Sequence, residues 1–524
     1  MTARNKAPLA AATLLGLFSF LTVLAYHNIA DGDLWAKLIL GSSVLEAGKL
    51  LRHDLFAFTP TLPIYVDHEW GSGLIFYTLL KFFGPASLML LKMFLAVAAS
   101  GTAACVALRR GCNPLVVLLL ALPAAICLLP GYVVVIRSHA FTYLFFALTL
   151  LCLEEIQRGK KWPIAIQIIL IAVWTNVHGG FVAGLGTIGV YTFAAFIRRK
   201  QIGVMCLVLV GCVMATLLNP YGIHFWETIL PAVLHKRPNI PEWGPMPLLG
   251  LDAFIGFRVL AVSAVLSLVA GWHKRRSDSF PALMMLAITA FIAIRSRRHA
   301  PFFAVASLAF LGNYLECALR RMTNATNKIP LQPGTAILIL YAAVATFVAT
   351  HFLPQASLQV LAPVRSYPVR EADILSRAGA SGNLVVPFEW GSYASWRLFP
   401  KIKVSIDGRY EAVFPETTFL ENNAFHFKTG ADWDKLIRNY HVDFIILNLK
   451  SGAVTAQDLE SRGFLPVWVD ENYSGLFATG ENLNRLRQVA SELPPTTIEP
   501  LDPQIPKKWW RAEQESGQNG AAKN

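Results

Sequence analysis

Two carboxylates, Asp31 and Asp33, stand one residue apart directly after the first apolar run of the chain. Only 15% of the residues are charged, so paired acids beside an apolar run are unusual in this sequence. A carboxylate at a membrane surface is costly unless it is solvated or has a function. Either acid could act as a general base on an acceptor hydroxyl or amine. The alternative is that one of them only caps the helix that follows.

Other acids, histidines, tryptophans and arginines also stand at the ends of apolar runs. Arginine forks suit a phosphate and stabilise charge on it as it leaves, histidines can position it, and tryptophan rings can stack on sugars. We predict that a donor phosphate binds to Arg137, Arg295, Arg297, Arg298 and His299. We predict that substrate binds to Trp35, Asp67, His68, Glu69, Trp70, His139, His178, Tyr221, Glu242, Trp243, Glu389, Asp407 and Arg409.

Each of these residues also has a purely structural interpretation. Tryptophans at span ends are common interface anchors, and the Arg295–His299 segment could contact lipid head groups. His178 could belong to a packing turn, with Gly180 and Gly184 in a close helix contact. Asn219-Pro220-Tyr221-Gly222 is typical of a helix stop. Glu389 and Asp407 follow predicted strands, where ligands bind in α/β sheets, but they could also be helix caps beside glycine turns.

The elements that must position these residues are membrane spans. The chain of 524 residues is 54% hydrophobic, with a mean hydropathy of +0.47, which is too apolar for a soluble protein of this size. The net charge of +13 does not indicate nucleic-acid binding, because most basic residues lie in short loops between apolar runs. Eleven spans are predicted, at about 9–26, 86–108, 114–134, 139–155, 162–177, 180–197, 202–219, 257–272, 279–294, 301–319 and 335–352.

The loop charges predict the orientation of these spans. With the N-terminus in the cytoplasm and the first span retained, the basic loops near 109, 158, 199, 275 and 320 all lie inside. The C-terminal part is then extracytoplasmic. Every predicted site residue falls on the outer side, so we expect one site at the mouth of the helix bundle. The arginines between 295 and 298 oppose the charge rule, which favours a function for them.

The composition changes after residue 355. Helical and strand signals alternate from there to about 480, which predicts a small three-layer α/β domain with a mainly parallel sheet. Residues 72–83 are too short to span and predict an interfacial helix. The predicted domains are a transmembrane domain over 1–355 with outer loops 28–85 and 219–256, an α/β domain over 356–483, and a polar, Pro-rich, partly disordered tail over 484–524.

As a set, the motifs resemble those of bacterial multi-pass proteins similar to the GT-C glycosyltransferase superfamily, in the class of protein O-mannosyltransferases and lipid A aminoarabinose transferases. The resemblance covers nearly the whole chain, to about residue 480. Where that class has an aromatic residue and a histidine after Trp35, this chain has Ala36 and Lys37. The motifs are Asp31-Gly32-Asp33-Leu34-Trp35, Asp67-His68-Glu69-Trp70, Asn176-Val177-His178-Gly179-Gly180-Phe181, Asn219-Pro220-Tyr221-Gly222, Arg297-Arg298-His299-Ala300-Pro301, Glu389-Trp390-Gly391-Ser392-Tyr393 and Ile406-Asp407-Gly408-Arg409.

The resemblance implies an α-helical polytopic membrane protein of the bacterial inner membrane with an extracytoplasmic C-terminal α/β domain. It implies that Asp33 or Asp31 supplies the catalytic carboxylate and that the donor is a polyprenyl-phosphate sugar, transferred with inversion. Some enzymes of the superfamily use a divalent cation and others do not, so Mg or Mn is an option and no metal ligand is assigned.

Two functions follow from different classes. The first is a glycosyltransferase whose partners are a polyprenyl-phosphate-linked sugar, membrane lipid and a glycan, lipid or protein acceptor. The second is a non-catalytic transporter, flippase or assembly factor for lipid-linked glycans. A transporter should carry charges within its spans and show repeat symmetry between its halves. The sequence shows charges near span ends and no such repeat, which favours the enzyme.

Overall fold

The computed structural model describes residues 6–234, 241–271, 280–326, 333–494 and 498–500. Helices dominate it as far as residue 351, and strands appear after residue 360. The helices are α1 (Lys6–Tyr26), α2 (Gly32–Ala47), α3 (Trp70–Phe83), α4 (Ala86–Arg109), α5 (Pro114–Leu128), α6 (His139–Gln157), α7 (Trp162–Val177), α8 (Phe181–Arg198), α9 (Ile202–Ala215), α10 (His224–Leu234), α11 (Ile255–Gly271), α12 (Phe280–Arg295), α13 (Ala300–Phe310), α14 (Gly312–Thr326), α15 (Pro333–His351), α16 (Val369–Arg377), α17 (Phe388–Leu398), α18 (Glu416–Phe427), α19 (Lys435–Asn439), α20 (Ala456–Glu460) and α21 (Leu483–Glu492), and the strands are β1 (Leu361–Pro363), β2 (Gly382–Val385), β3 (Ile402–Val404), β4 (Phe444–Asn448), β5 (Leu465–Asp470), β6 (Ser474–Ala478) and β7 (Ile498–Pro500).

The chain forms two compact units. The first contains Met1–Asn28 and Met89–Leu358, and the second contains Ile29–Leu88 and Gln359–Asn524. Residues 29–88 thus pack with the C-terminal part, although sequence analysis treated 28–85 as an outer loop of the membrane domain. The backbone explains this, since Ala30 N–H donates to Leu361 O (2.9 Å) and Phe58 N–H donates to Val404 O (3.1 Å). The predicted domains also assign segments to one side of the membrane, and these domain boundaries stay a prediction.

The first unit is helical, and a helix lies at each of the eleven predicted spans. Among the described residues, six helices are long and apolar enough to cross a membrane. The predicted span 301–319 is broken at Leu311, where α13 and α14 bend by 61°, and a seventh crossing is counted if this pair is one span. Helices α7, α9, α11 and α12 are apolar but shorter. The chain is therefore a multi-pass membrane protein, and the count of eleven stays a prediction.

One charge lies inside a predicted span rather than at its end. Lys92 stands six residues into α4, about 9 Å along the helix axis, and its side chain is fully buried. Its Nζ donates to the backbone carbonyls of His27 (2.5 Å) and Val134 (3.0 Å). The expectation of charges only near span ends therefore misses Lys92. These bonds tie three chain segments together, which is a structural use of the charge.

The second unit contains a mixed five-stranded sheet in the order β3-β2-β4-β6-β5. Strand β2 is parallel to β3 and β4, whereas β6 is antiparallel to β4 and β5. The expectation of a mainly parallel sheet is wrong for β5 and β6, because only residues 471–473 join them and a parallel crossover needs a dozen or more residues. A second, two-stranded sheet pairs β1 with β7.

The helix predicted at 72–83 is present as α3, and it packs on α2, which sequence analysis did not predict. The two helices approach each other at Gly41 and Gly73. A methyl group on Gly41 would lie 2.1 Å from Gly73 O, so this contact admits no side chain. Helix α21 occupies the start of the predicted tail, of which residues 495–497 and 501–524 lie outside the described residues. The location of α3 at the membrane surface stays a prediction.

Candidate functional site

The two acids of the first motif have different environments in the second unit. Asp31 is the N-cap of α2, where its Oδ1 accepts a hydrogen bond from Leu34 N–H at 3.3 Å, and its side chain is buried. The capping interpretation is therefore correct for Asp31. Asp33 stands in the first turn of α2 and is exposed. Of the two predicted catalytic carboxylates, Asp33 is the one that a substrate can reach.

Three of the sequence motifs meet at Asp33. A methyl group on Gly408 would lie 3.7 Å from Asp33 Oδ1, and the Gly408 N–H donates to Ser392 Oγ at 3.0 Å. A methyl group on Gly32 would lie 3.4 Å from Glu389 O. The motifs that begin at residues 31, 389 and 406 thus form one surface, although more than 350 residues of sequence separate the first from the second.

Gly391 allows α17 to lie close to the backbone that follows β3. A methyl group there would lie 1.8 Å from Ile406 O and 2.8 Å from Asp407 Cα, so α17 packs directly on the backbone that follows β3. Gly391 lies inside α17, which excludes the interpretation of this glycine as a turn. The Glu389 side chain is exposed and accepts a hydrogen bond from Asn448 Nδ2 (3.3 Å), at the end of β4. Glu389 therefore lies where parallel strands end, as sequence analysis predicted.

Asp407 and Arg409 belong to a buried ion triad with Asp54. Arg409 Nε donates to Asp407 Oδ1 (2.9 Å), and its Nη2 donates to Asp407 Oδ2 (2.6 Å) and to Asp54 Oδ1. The exposed fractions of the three side chains are 4%, 3% and 2% for Arg409, Asp407 and Asp54. Burial lowers the pKa of Arg409, but the two carboxylates outweigh it and leave that pKa raised. The triad holds the Gly408 loop in place, and its buried groups are not open to substrate.

The second acidic motif is held by Lys37. Its Nζ forms ion pairs with Asp67 Oδ1 (3.0 Å) and Glu69 Oε2 (3.1 Å), and all three side chains are mostly buried. Burial lowers the pKa of Lys37, but Asp67 and Glu69 raise it further, so the ammonium stays charged. His68 Nε2 lies 3.6 Å from Glu69 Oε1 and is 30% exposed. Among Asp67, His68 and Glu69, the histidine is the most accessible to a ligand.

The tryptophans of this unit differ in their exposure. Trp35 is 2% exposed and packs edge-on against Tyr367 and Tyr393, with ring centroids at 5.6 and 5.1 Å. A buried ring of this kind supports α2 and offers no face to a sugar. Trp70 is half-buried at the start of α3. The prediction of sugar stacking is therefore better suited to Trp70 than to Trp35.

In the first unit, two of the predicted phosphate-binding arginines converge on Glu242. Arg137 Nη1 lies 3.2 Å from Glu242 Oε2, and Arg298 Nη1 pairs with Glu242 Oε1. The exposed fractions of the three side chains lie between 26% and 38%. The Arg298 guanidinium stacks over the Trp243 ring at 5.0 Å. The Glu242 carboxylate thus pairs with two arginines at a solvent-accessible position. Together, Arg137, Arg298 and Glu242 carry a net charge of +1.

The remaining residues of the arginine motif have other environments. Arg297 Nε donates to Pro241 O (2.7 Å), and the Arg297 N–H donates to Gly244 O (3.0 Å), which fixes the segment around Glu242. The His299 ring contacts the Trp243 ring edge-on at 5.9 Å. Arg295 is exposed at the end of α12. The structure therefore groups Arg137, Arg298, His299, Glu242 and Trp243.

The two predicted histidines of the helix ends lie together. His139 Nε2 is 2.9 Å from Gly131 O, and the His139 and His178 ring centroids are 6.3 Å apart. His178 Nδ1 accepts from Gly180 N–H (2.9 Å) and lies 2.7 Å from Thr142 Oγ1. With Nδ1 as acceptor, neutral His178 carries its proton on Nε2, an assignment that follows from the hydrogen bonds.

The glycines beside His178 and the motif of Tyr221 serve packing. A methyl group on Gly180 would lie 2.3 Å from Thr142 Oγ1, which agrees with the packing-turn interpretation. Tyr221 is buried, and its N–H donates to Asn219 Oδ1 (2.8 Å) in a turn where Gly222 has φ +57°. This turn follows the end of α9, which agrees with the helix-stop interpretation.

Sequence analysis did not identify Asp54 or Thr142, which bond to the predicted site residues Arg409 and His178, and it gave Ser392, which accepts from Gly408 N–H, only as part of a motif. Lys37 was noted only as a departure from the class pattern, although its spacing of four from Asp33 places both on one side of a helix. Within the described ranges, no three His, Cys, Asp or Glu side chains are grouped closely enough to hold a metal ion.

Comparison with solved structures gives the fold. The chain is similar to the oligosaccharyltransferase of Archaeoglobus fulgidus tethered to an acceptor peptide with the NVT sequon, with a TM-score of 0.54, 12% identity, and coverage of 96% of this chain and 75% of that chain. The same enzyme in complex with Zn and sulfate gives a TM-score of 0.54, 10% identity, and coverage of 84% and 68%.

A second type of glycosyltransferase also matches. The mycobacterial arabinofuranosyltransferase AftD gives a TM-score of 0.52 and 14% identity, with coverage of 93% of this chain and 42% of that chain. No protein-family model matches the sequence, and no similar sequence is found among curated proteins. The chain has the fold of GT-C membrane glycosyltransferases, as its motifs predicted, with a small mixed sheet in its C-terminal part.

Proposed function

We propose that the protein is a membrane glycosyltransferase that transfers a sugar from a polyprenyl-phosphate donor to a glycan, lipid or protein acceptor on the extracytoplasmic face. The observation that carries the proposal is the exposed carboxylate of Asp33 beside Gly408, where three motifs meet. The neighbouring acids Asp31, Asp67 and Asp407 are buried, with 8%, 4% and 2% exposure, whereas Asp33 is exposed. Asp33 is therefore the acid best suited to take a proton.

The proposed role of Asp33 is that of a general base. Its carboxylate accepts the proton of an acceptor hydroxyl or amine while the acceptor oxygen or nitrogen forms a bond to the anomeric carbon of the sugar. The bond between the anomeric carbon and the phosphate oxygen breaks, and its electron pair leaves with polyprenyl phosphate. Proton removal by a positioned carboxylate contributes about 10²–10⁴-fold to a rate.

The proposed role of Arg137 and Arg298 is to bind the donor phosphate. Both guanidinium groups bind the carboxylate of Glu242, so the two arginines converge on a position that accepts a small anionic group. A phosphate at this place competes with Glu242 for the two arginines, whose positive charges bind it. His299 and Trp243 border this place and complete its wall.

Mass spectrometry of lipid-linked sugars and surface glycans in a deletion strain tests the proposal. We expect one polyprenyl-phosphate monosaccharide to build up and one glycan to lose a single sugar, and only the wild type to restore both. Asp33→Asn should not complement, whereas Asp432→Asn, at a surface acid with 78% side-chain exposure, should complement fully. If no glycan changes, or if Asp33→Asn restores everything, the transport or assembly function replaces this one.

A further inference from the structure

The segment between residues 246 and 252 of the first unit displays an unusual group of leucines. Leu248, Leu249 and Leu251 are 57%, 88% and 94% exposed. Three such side chains within four positions form an apolar tip, which a soluble surface rarely shows without a partner. Sequence analysis placed this segment in the outer loop 219–256 without a role for it.

The backbone of this tip is held by Arg258 of α11. Its Nη1 donates to Pro247 O (2.7 Å) and Leu249 O (3.3 Å), and its Nη2 forms an ion pair with Asp252 Oδ1 (2.5 Å). Asp252 Oδ1 also accepts from the Phe254 N–H at 2.8 Å. Arg258 therefore orders the loop by bonding the carbonyl groups of Pro247 and Leu249 and by pairing with the Asp252 carboxylate.

Bonds within the chain lower the cost of bringing polar backbone close to hydrocarbon. An unsatisfied carbonyl or charge in a bilayer costs several kcal/mol, so irregular backbone is normally excluded from lipid. Here one guanidinium satisfies two carbonyl groups and neutralises the nearby carboxylate, and its side chain is only 12% exposed. The turn itself uses Gly250 at φ +110°, a conformation that a larger residue rarely adopts.

The tip leads directly into an apolar surface of α11. One face of this helix is buried and includes Phe257 and Leu260. The opposite face exposes apolar side chains at helical spacing, among which Val262 is 59% and Leu266 is 64% exposed. In a multi-pass membrane protein, an exposed apolar stripe on a bundle helix is the surface that contacts lipid tails. The leucine tip continues this surface beyond the start of the helix.

We propose that the leucine side chains of the tip, residues 246–252, insert into the hydrocarbon region of the bilayer and anchor the loop before α11. The partner is lipid acyl or prenyl chains, rather than a second protein surface. The tip lies only a few residues after Glu242 and Trp243, so the anchor fixes the depth of the arginine cluster in the membrane. This inference depends on the membrane location of the chain and is independent of the proposed transfer reaction.

Spin labelling of the full chain in lipid nanodiscs tests the insertion. A nitroxide on Leu249→Cys should collide with dissolved oxygen much more often than with a water-soluble nickel chelate. Val265→Cys on α11 should behave in the same way, and Leu420→Cys on α18 of the second unit should show the reverse preference. The residues replaced are 88%, 62% and 53% exposed, so no packed contact is lost. Wild type labelled in parallel gives the background from the seven native cysteines.

Each outcome decides the proposal. Strong oxygen and weak nickel accessibility at residue 249, repeated with Leu251→Cys, supports insertion into lipid. High nickel accessibility places the tip in water and overturns the proposal. Exclusion of both reagents shows that protein covers the tip, either a second copy or a partner, and it overturns the proposal as well.

Discussion

Removal of the Arg409 guanidinium should destabilise the second unit strongly, because it leaves two buried carboxylates without their cation. In Arg409→Leu, Asp407 and Asp54 stay 3% and 2% exposed unless the fold adjusts. Breaking a buried ion pair on one side costs about 3–5 kcal/mol. Backbone N–H groups still bind both acids, since Phe56 and Ala57 donate to Asp54 Oδ2 at 3.0 and 2.7 Å and residue 409 donates to Asp407 Oδ1 at 3.0 Å. We therefore expect the lower end, about 3 kcal/mol.

Hydrogen exchange followed by mass spectrometry measures this loss within the full chain. A cost of about 3 kcal/mol accelerates exchange through unfolding of this unit by about 100-fold. Amides of β2 and β3 report it, and amides of the first unit, such as those of α6, serve as an internal reference. Arg438→Leu is the matched control, since that side chain is 53% exposed and pairs at the surface.

Unchanged exchange in β2 and β3 of Arg409→Leu, with the control also unchanged, would refute the account of the triad as a structural support. Acceleration of equal size in Arg409→Leu and Arg438→Leu would show that the buried triad contributes no more to stability than a surface ion pair.

Three further predictions concern single positions. Burial raises the pKa of Glu371 from 4.5 to about 7, so ionisation of this side chain destabilises the folded unit. The destabilisation is absent at low pH, grows as the pH rises between these two values and is complete above about pH 7. Glu371→Gln should therefore stabilise the unit by up to about 3 kcal/mol well above pH 7 and by little near pH 4.5, and a thermal unfolding series with the opposite trend would contradict this. Gly391→Ala should cost about 1–3 kcal/mol or more, because its methyl group would lie 1.8 Å from Ile406 O. Gly101→Ala, inside α4, meets no atom within 4 Å and should not destabilise the protein in the same melts, since Ala is favoured over Gly within a helix. Glu242→Gln should lower the KM for the lipid donor with little change in kcat, since it frees two arginines, and a raised KM would show that Glu242 assists donor binding.

Much of the fold is predictable because the membrane imposes long apolar helices. The segments 162–177 and 202–219 are recognised from their apolar runs alone, and the helices Trp162–Val177 and Ile202–Ala215 lie there. The break at Leu311 is not predictable in this way, because the apolar run from Phe302 continues without a proline or glycine until Gly312. The antiparallel pairing of β5 and β6 follows from their short connection, residues 471–473, whose length can be read from the sequence. The order of the strands in the sheet cannot be read in this way.

The candidate site is predictable in its residue types but not in its partners. Asp33 stands out by its position after an apolar run, whereas the role of Asp54 depends on a contact with Arg409, 355 positions away in sequence. Trp35 and Trp70 look equivalent in sequence, and only packing shows that the first is buried. Burial and long-range pairing thus decide which polar residues are available, and neither has a local sequence signal.

The central claim is that the chain catalyses sugar transfer with Asp33 as its base. Purified full-length protein in nanodiscs, incubated with lipid-linked sugars and membrane acceptors extracted from the deletion strain, tests it most directly. Mass spectrometry should show that the wild type converts one polyprenyl-phosphate sugar into polyprenyl phosphate and glycosylated acceptor. Asp33→Asn should be slower by about 10²-fold or more, with Asp432→Asn unchanged. Consumption of no lipid-linked sugar by the wild type, or equal rates for wild type and Asp33→Asn, would contradict the account.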